Sequence, residues 1–146
     1  MPAVVVEAAR RLPGATVADR PVAGGFAMIE QVWHLADLET DAYEVRIRRI
    51  LEEDEPELPS FDGEAVAAKR KYRALRLRDG LRKFTEARER NLAALRTLEG
   101  DAWQRTGVQE GVGKVTLRDI PRMMHEHDLS HRREIEALLQ ELASRP

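Results

Sequence analysis

The chain has 146 residues, no cysteine, and 24 basic against 26 acidic side chains, for a net charge of −2. Without cysteine it has no disulfide framework, no thiolate metal ligand and no cysteine nucleophile. The charge balance gives no general pull toward nucleic acid or anionic lipid, no apolar run approaches the roughly 20 residues of a membrane span, and no basic segment precedes an apolar one at the start.

A cytoplasmic protein with neither a nucleic-acid nor a membrane partner is therefore expected. The length fits one domain, residues 1–146. A composition rich in Ala, Leu, Glu and Arg, with 5% aromatics, predicts an all-α fold.

Residues 2–12 read as a short helix closed by Pro13 and Gly14, and 13–25 as a loop. A strong helix is predicted over 26–53, with Phe26, Ile29, Trp33, Ala36, Tyr43, Ile47 and Ile50 in one stripe. His34 lies about 100° from Trp33, between that stripe and an acidic flank of Glu30, Asp37 and Asp41. By periodicity alone it is a boundary residue. The run 52–63 reads as a solvated acidic loop with Pro56 and Pro59.

A further helix is predicted over about 64–76, where a basic cluster begins and extends from Lys69 to Lys83. The cluster is expected to be a solvated surface balancing the acids before it, or a dimer edge. The helix predicted over 79–98, with a cap at Asp79, carries the stripe Leu81, Phe84, Arg88, Asn91, Leu95 and Leu98. Arg88 and Asn91 stand where apolar residues belong. They read as walls of a polar substrate cavity, with Arg88 receiving an anionic group, or else Arg88 snorkels to the surface. Residues 100–115 read as a glycine-rich connection, with Trp103 as a lid over the bundle end.

The last helix is predicted over 116–143, with Thr116 and Asp119 in capping-box relation. Its stripe is Leu117, Ile120, Met124, His127, His131, Ile135, Leu138 and Leu142, within an arc of roughly 80°. Two histidines at i,i+4 stack on one face, about 6 Å apart in rise. They are either hydrogen-bonded inner residues or a pair of metal ligands. His125 points about 160° away and is expected to be solvated.

Three blocks, FAMIEQVWHLADLE (26–39), RIRRILEEDEPELPSFDGEA (46–65) and GKVTLRDIPRMMHEHDLSH (113–131), together with the helix at 79–98, resemble the DinB-like (YfiT-type) superfamily. The resemblance implies an antiparallel four-helix bundle with a long crossover between the second and third helices, often a homodimer. It implies a divalent metal ion on His34, His127 and His131, with nickel, zinc and iron all compatible with imidazole. It further implies a thiol S-transferase, isomerase or hydrolase activity on a small-molecule substrate, including a low-molecular-weight thiol. The alternative is a non-catalytic metal-binding or dimerisation bundle of the stress-response type. Glu30, Asp37 and Glu134 are candidates to orient the ligating histidines. This chain departs from the family pattern in placing Phe26 and Ala27 where Trp-Ser often opens the second helix, and in its short first helix.

Overall fold

A computed structural model describes residues 1–14 and 16–145. Four rods form the bundle. The first is α1 (Pro2–Arg10). The second runs from α2 (Met28–Asp37) through a π-helical stretch, Leu38–Tyr43, into α3 (Glu44–Glu52). The third is α5 (Leu77–Arg96) and the fourth α6 (Asp119–Ala143). The long crossover between the second and third rods carries α4 (Gly63–Arg70). α5 lies along α2, the π stretch and α3, while α1 packs on α5 and α6.

The helix boundaries follow local chemistry. Ala27, the residue before α2, has no side-chain acceptor, so only half of a capping box forms: the Glu30 carboxylate accepts from the Ala27 N–H at 2.9 Å. α4 is capped by Asp62, whose carboxylate accepts from the Ala65 N–H at 3.0 Å. α5 begins at Leu77, earlier than the expected cap, and Asp79 lies in its first turn. α6 begins at Asp119 rather than Thr116. The expected pairing still forms, since Asp119 accepts from both the Thr116 N–H, at 2.9 Å, and its hydroxyl, at 2.8 Å.

Two stretches read as irregular contain a small sheet. β1 (Glu57–Leu58) runs parallel to β2 (Thr106–Gln109), which pairs antiparallel with β3 (Gly113–Thr116). The strands are too short for period-two patterning to show against the glycines around them. At Gly107 a Cβ would stand 2.8 Å from Leu58 Cδ1 and 3.1 Å from the Pro56 carbonyl oxygen, so only glycine lets the sheet close onto the bundle. Trp103 covers the bundle end as expected, donating from Nε1 to the Leu98 carbonyl at 3.0 Å.

The apolar core falls into two main clusters. One gathers Val5, Met28, Val32, Leu35, Phe84 and Ile135. The other gathers Ile47, Ile50, Leu95, Leu117, Ile120 and Met124 near the sheet. Each such side chain contributes about 1.5–3 kcal/mol when fully buried. A polar belt separates the clusters. On α5 the inward order is Phe84, Arg88, Asn91, Leu95, and on α6 it is Met124, His127, His131, Ile135. The π stretch also contributes, turning Glu39 fully inward. The Glu39 carbonyl takes the Glu44 N–H of the wider turn and a 3.0 Å hydrogen bond from Asn91 Nδ2.

Candidate metal centre

The belt brings three imidazoles together from two rods. His34 comes from α2, and His127 and His131 from successive turns of α6. Ring centroids lie 4.8 Å apart for His34 and His131, 5.5 Å for His34 and His127, and 4.3 Å for His127 and His131. One nitrogen from each ring fits in a set whose members all lie within 4.8 Å of one another. The Nε2 atoms of His127 and His131 are 3.1 Å apart. Two imidazole nitrogens on one tetrahedral zinc would stand about 3.3 Å apart. His125 is exposed and apart from the group.

The walls of the cluster fix its rings. His34 is wedged between Phe26, at 5.3 Å, and Phe61, at 5.7 Å. The first residue of α4 presses on the same ring: a Cβ at Gly63 would collide with His34 at Cε1 and Nδ1. Nδ1 of His34 is buried with no hydrogen-bond partner. His131 is held by a relay. Gln31 Nε2 donates to Glu134 at 2.9 Å, which turns the amide oxygen of Gln31 onto His131 Nδ1 at 2.5 Å. The proton of His131 then belongs on Nδ1, leaving the Nε2 lone pair facing His127.

The electrostatics keep the rings neutral. Burial, followed by the charges of His131 and His127, pushes His34 down to about 3. Burial and then His127 push His131 down to about 4, and burial lowers His127. Near neutral pH the group presents three lone pairs and no charge, a donor set suited to a divalent cation.

The family model of the DinB superfamily matches residues 1–135. The chain belongs to the DinB superfamily. None of the curated proteins searched matches it. Among solved structures, it is similar to YfiT from Bacillus subtilis, described as a probable metal-dependent hydrolase with an unusual four-helix bundle topology. The two share 22% identity over 97% of this chain and 81% of that one, with a TM-score of 0.87. The likeness establishes a common four-helix-bundle fold.

Within this DinB fold the expected orienting acids separate. Glu134 reaches the site, 3.4 Å from His131 Nδ1 and bonded to Gln31. Glu30 does not touch His34: its carboxylate is held by Arg20 Nε at 2.8 Å and Nη2 at 2.7 Å. Asp37 is fully buried and accepts from the Tyr72 hydroxyl at 2.6 Å, Lys83 Nζ at 2.5 Å and Arg70 Nη1 at 2.6 Å. Of the acidic flank, Glu30 and Asp37 are therefore internal, whereas Asp41 is exposed and pairs with Arg70 at 2.8 Å. Part of the basic cluster, Arg70 and Lys83, is committed to it. Gln31 went unpredicted, although it is a polar residue one turn before His34 on the same side of α2.

Arg88 and Asn91 are buried, as an inner stripe requires, but they face groups of the chain itself. Arg88 bonds Asp128 through both terminal nitrogens, at 2.7 and 2.8 Å, and Glu39 through Nε at 2.9 Å. Asn91 Nδ2 donates to the Glu39 carboxylate at 2.8 Å. Arg88 neither snorkels nor lines the recess beside the histidines. That recess, about 480 Å³, opens onto His34 and His127. Its other walls include Arg46 and Phe61, Gln109 at the end of β2 and Val112 in the turn before β3.

Proposed function

We propose that this chain is a divalent-metal-dependent enzyme whose centre is His34, His127 and His131. The observation that carries the reading is the convergence of three neutral imidazoles from two separate rods, two of which, His34 and His127, form part of the wall of an open recess. A structural site would be closed by a fourth protein ligand, whereas three ligands beside a recess leave a coordination position for substrate. YfiT's description as a probable metal-dependent hydrolase supports the same reading. A divalent cation held there supplies Lewis-acid chemistry: it makes a water or thiol nucleophilic near neutral pH and polarises an electrophile.

The chain's own residues supply the rest. Gln31 and Glu134 hold His131 in the tautomer that offers Nε2. Phe26, Phe61 and Gly63 confine His34. The chain has no cysteine, so any thiol nucleophile arrives as a co-substrate. We assign the reaction class as hydrolysis or thiol transfer at an electrophilic carbon, with a low-molecular-weight thiol as the co-substrate in the second case.

Elemental analysis of protein purified without a histidine tag tests this directly. One divalent ion per chain is expected, lost in His127→Ala, followed by hydrolase and thiol-conjugation screens on the loaded protein. A metal content that His127→Ala leaves unchanged, or turnover that survives both His34→Ala and His131→Ala, would refute the assignment.

A further inference from the structure

Among the described residues, four buried side-chain polar atoms have no hydrogen-bond partner: Trp33 Nε1, His34 Nδ1, Arg46 Nε and Gln109 Oε1. Three of the four belong to residues that line the recess beside the histidines. Folding normally satisfies such atoms, because each one left bare costs about 1–3 kcal/mol. His34 Nδ1 faces the start of α4 at Gly63, which leaves Arg46 and Gln109 as recess residues whose side chains lack partners within the fold.

Arg46 is the most telling member. It is 5% exposed, yet among the described residues no carboxylate pairs with it. Its one hydrogen bond is a long one, 3.4 Å from Nη2 to the Pro59 carbonyl. Its guanidinium stands 5.8 Å from the centre of the Tyr43 ring, a contact that orients the cation without neutralising it. A guanidinium stays charged in any protein setting, so this is a buried positive charge awaiting an anion.

The surroundings narrow the anion. One cation neutralises one negative charge. The carboxylates at the rim, Glu110 and Glu126, disfavour a dianion. Leu38, Phe61 and Met123 supply apolar wall, and the unpartnered Gln109 Oε1, an acceptor, suits a donor on the ligand's body rather than the anion itself. A monoanion with a planar two-oxygen face and an apolar body matches this arrangement.

We propose that Arg46 is the docking point for a carboxylate on the substrate, which holds the reacting group beside the three histidines. This deepens the reading of a metal-dependent enzyme and rests on it for the word substrate. The binding chemistry itself is independent of the metal. Arg46 is a binding residue here, and its role is to position the molecule.

The test uses hexanoate and its uncharged isostere hexanamide, titrated by NMR into the whole chain, both zinc-loaded and metal-free. Hexanoate is expected to bind in the millimolar range and about tenfold to a hundredfold more tightly than hexanamide, with or without zinc. Arg46→Gln and Arg46→Met should abolish that preference while zinc stoichiometry is retained. Equal binding of the two probes, no binding of hexanoate, or a preference that survives both substitutions would overturn the proposal. Inorganic phosphate binding as tightly as hexanoate would overturn the carboxylate assignment. If zinc fails to bind while the hexanoate preference is present and depends on Arg46, the carboxylate site stands and the metal-enzyme reading falls.

Discussion

Two arginines are buried in the interior of this bundle, and their surroundings are opposite. Arg88 is enclosed by Glu39 and Asp128, with Asn91 completing the Glu39 carboxylate. Burial alone would lower its guanidinium, but the hydrogen bonds and charges of Asp128 and Glu39 outweigh it and the value is raised. Arg46 has the same burial without the carboxylates, and burial lowers its guanidinium. The first region is internally complete and ties α5 to α6 next to His127. The second, made of Arg46, Gln109 and His34, is incomplete at every member. A fold tolerates incomplete polar groups where function uses them, so the difference separates scaffold from binding surface.

The contrast is broken most forcefully at Arg88. Arg88→Met leaves the Glu39 and Asp128 carboxylates buried without their cation, and is expected to cost about 3–5 kcal/mol in urea unfolding of the metal-free protein. A loss below about 1 kcal/mol would mean the network is not the strut described here.

The histidines respond next, through pH. Each of His34 and His131 is held below the ordinary value of 6.5, at about 3 and about 4. Their neutral forms are favoured by the fold, so stability is fully present above pH 6.5. It falls as the pH drops and the unfolded chain takes up protons that the folded chain refuses. The expected slope of metal-free stability between about pH 6 and pH 4.5 approaches 1.4 kcal/mol per pH unit per histidine. Urea titrations across that range should flatten in His34→Ala/His131→Ala, and an unchanged slope there would assign the acid sensitivity elsewhere.

The bundle was legible in the sequence because three- and four-residue spacing of Ile, Leu, Phe and Met is imposed by one buried face per helix. The pair His127 and His131 was legible for the same reason, as two polar residues inside such a stripe. His34 was not legible from spacing, which places it at a boundary; only the resemblance carried by FAMIEQVWHLADLE names it as a ligand. α2 is buried on nearly every side, because α4 and the crossover cover the face that would otherwise meet solvent. That same cover buries Glu30 and Asp37, whose partners Arg20, Arg70, Tyr72 and Lys83 lie between 10 and 46 residues away. Arg46 was read only as part of a block resembling the family. A buried arginine without a partner cannot be told from a surface one by spacing, and the sheet that supplies Gln109 was too short to predict.

Between the two regions lies Gln31, which belongs to the histidine cluster through His131 alone. Gln31→Leu removes the acceptor that fixes the tautomer, and zinc affinity measured by competition with a chelator should fall about 10–100-fold. Glu30→Gln, on the neighbouring position, should leave zinc affinity unchanged, because its carboxylate serves Arg20 and the start of α2. An equal loss in both variants would show that α2 transmits general damage rather than a specific orientation.

The smallest effect should have the opposite sign from the first. Arg46→Met replaces a buried cation that has no counterion with a flexible apolar side chain of similar length. The desolvation cost of the guanidinium disappears, and no acid is left bare in exchange. The metal-free protein is therefore expected to gain about 1 kcal/mol in urea unfolding, even as its preference for a carboxylate disappears. A loss as large as that expected for Arg88→Met would show that Arg46 is already satisfied within the fold. The same change of residue, made at two equally buried arginines, thus separates a charge the fold needs from one it carries for a ligand.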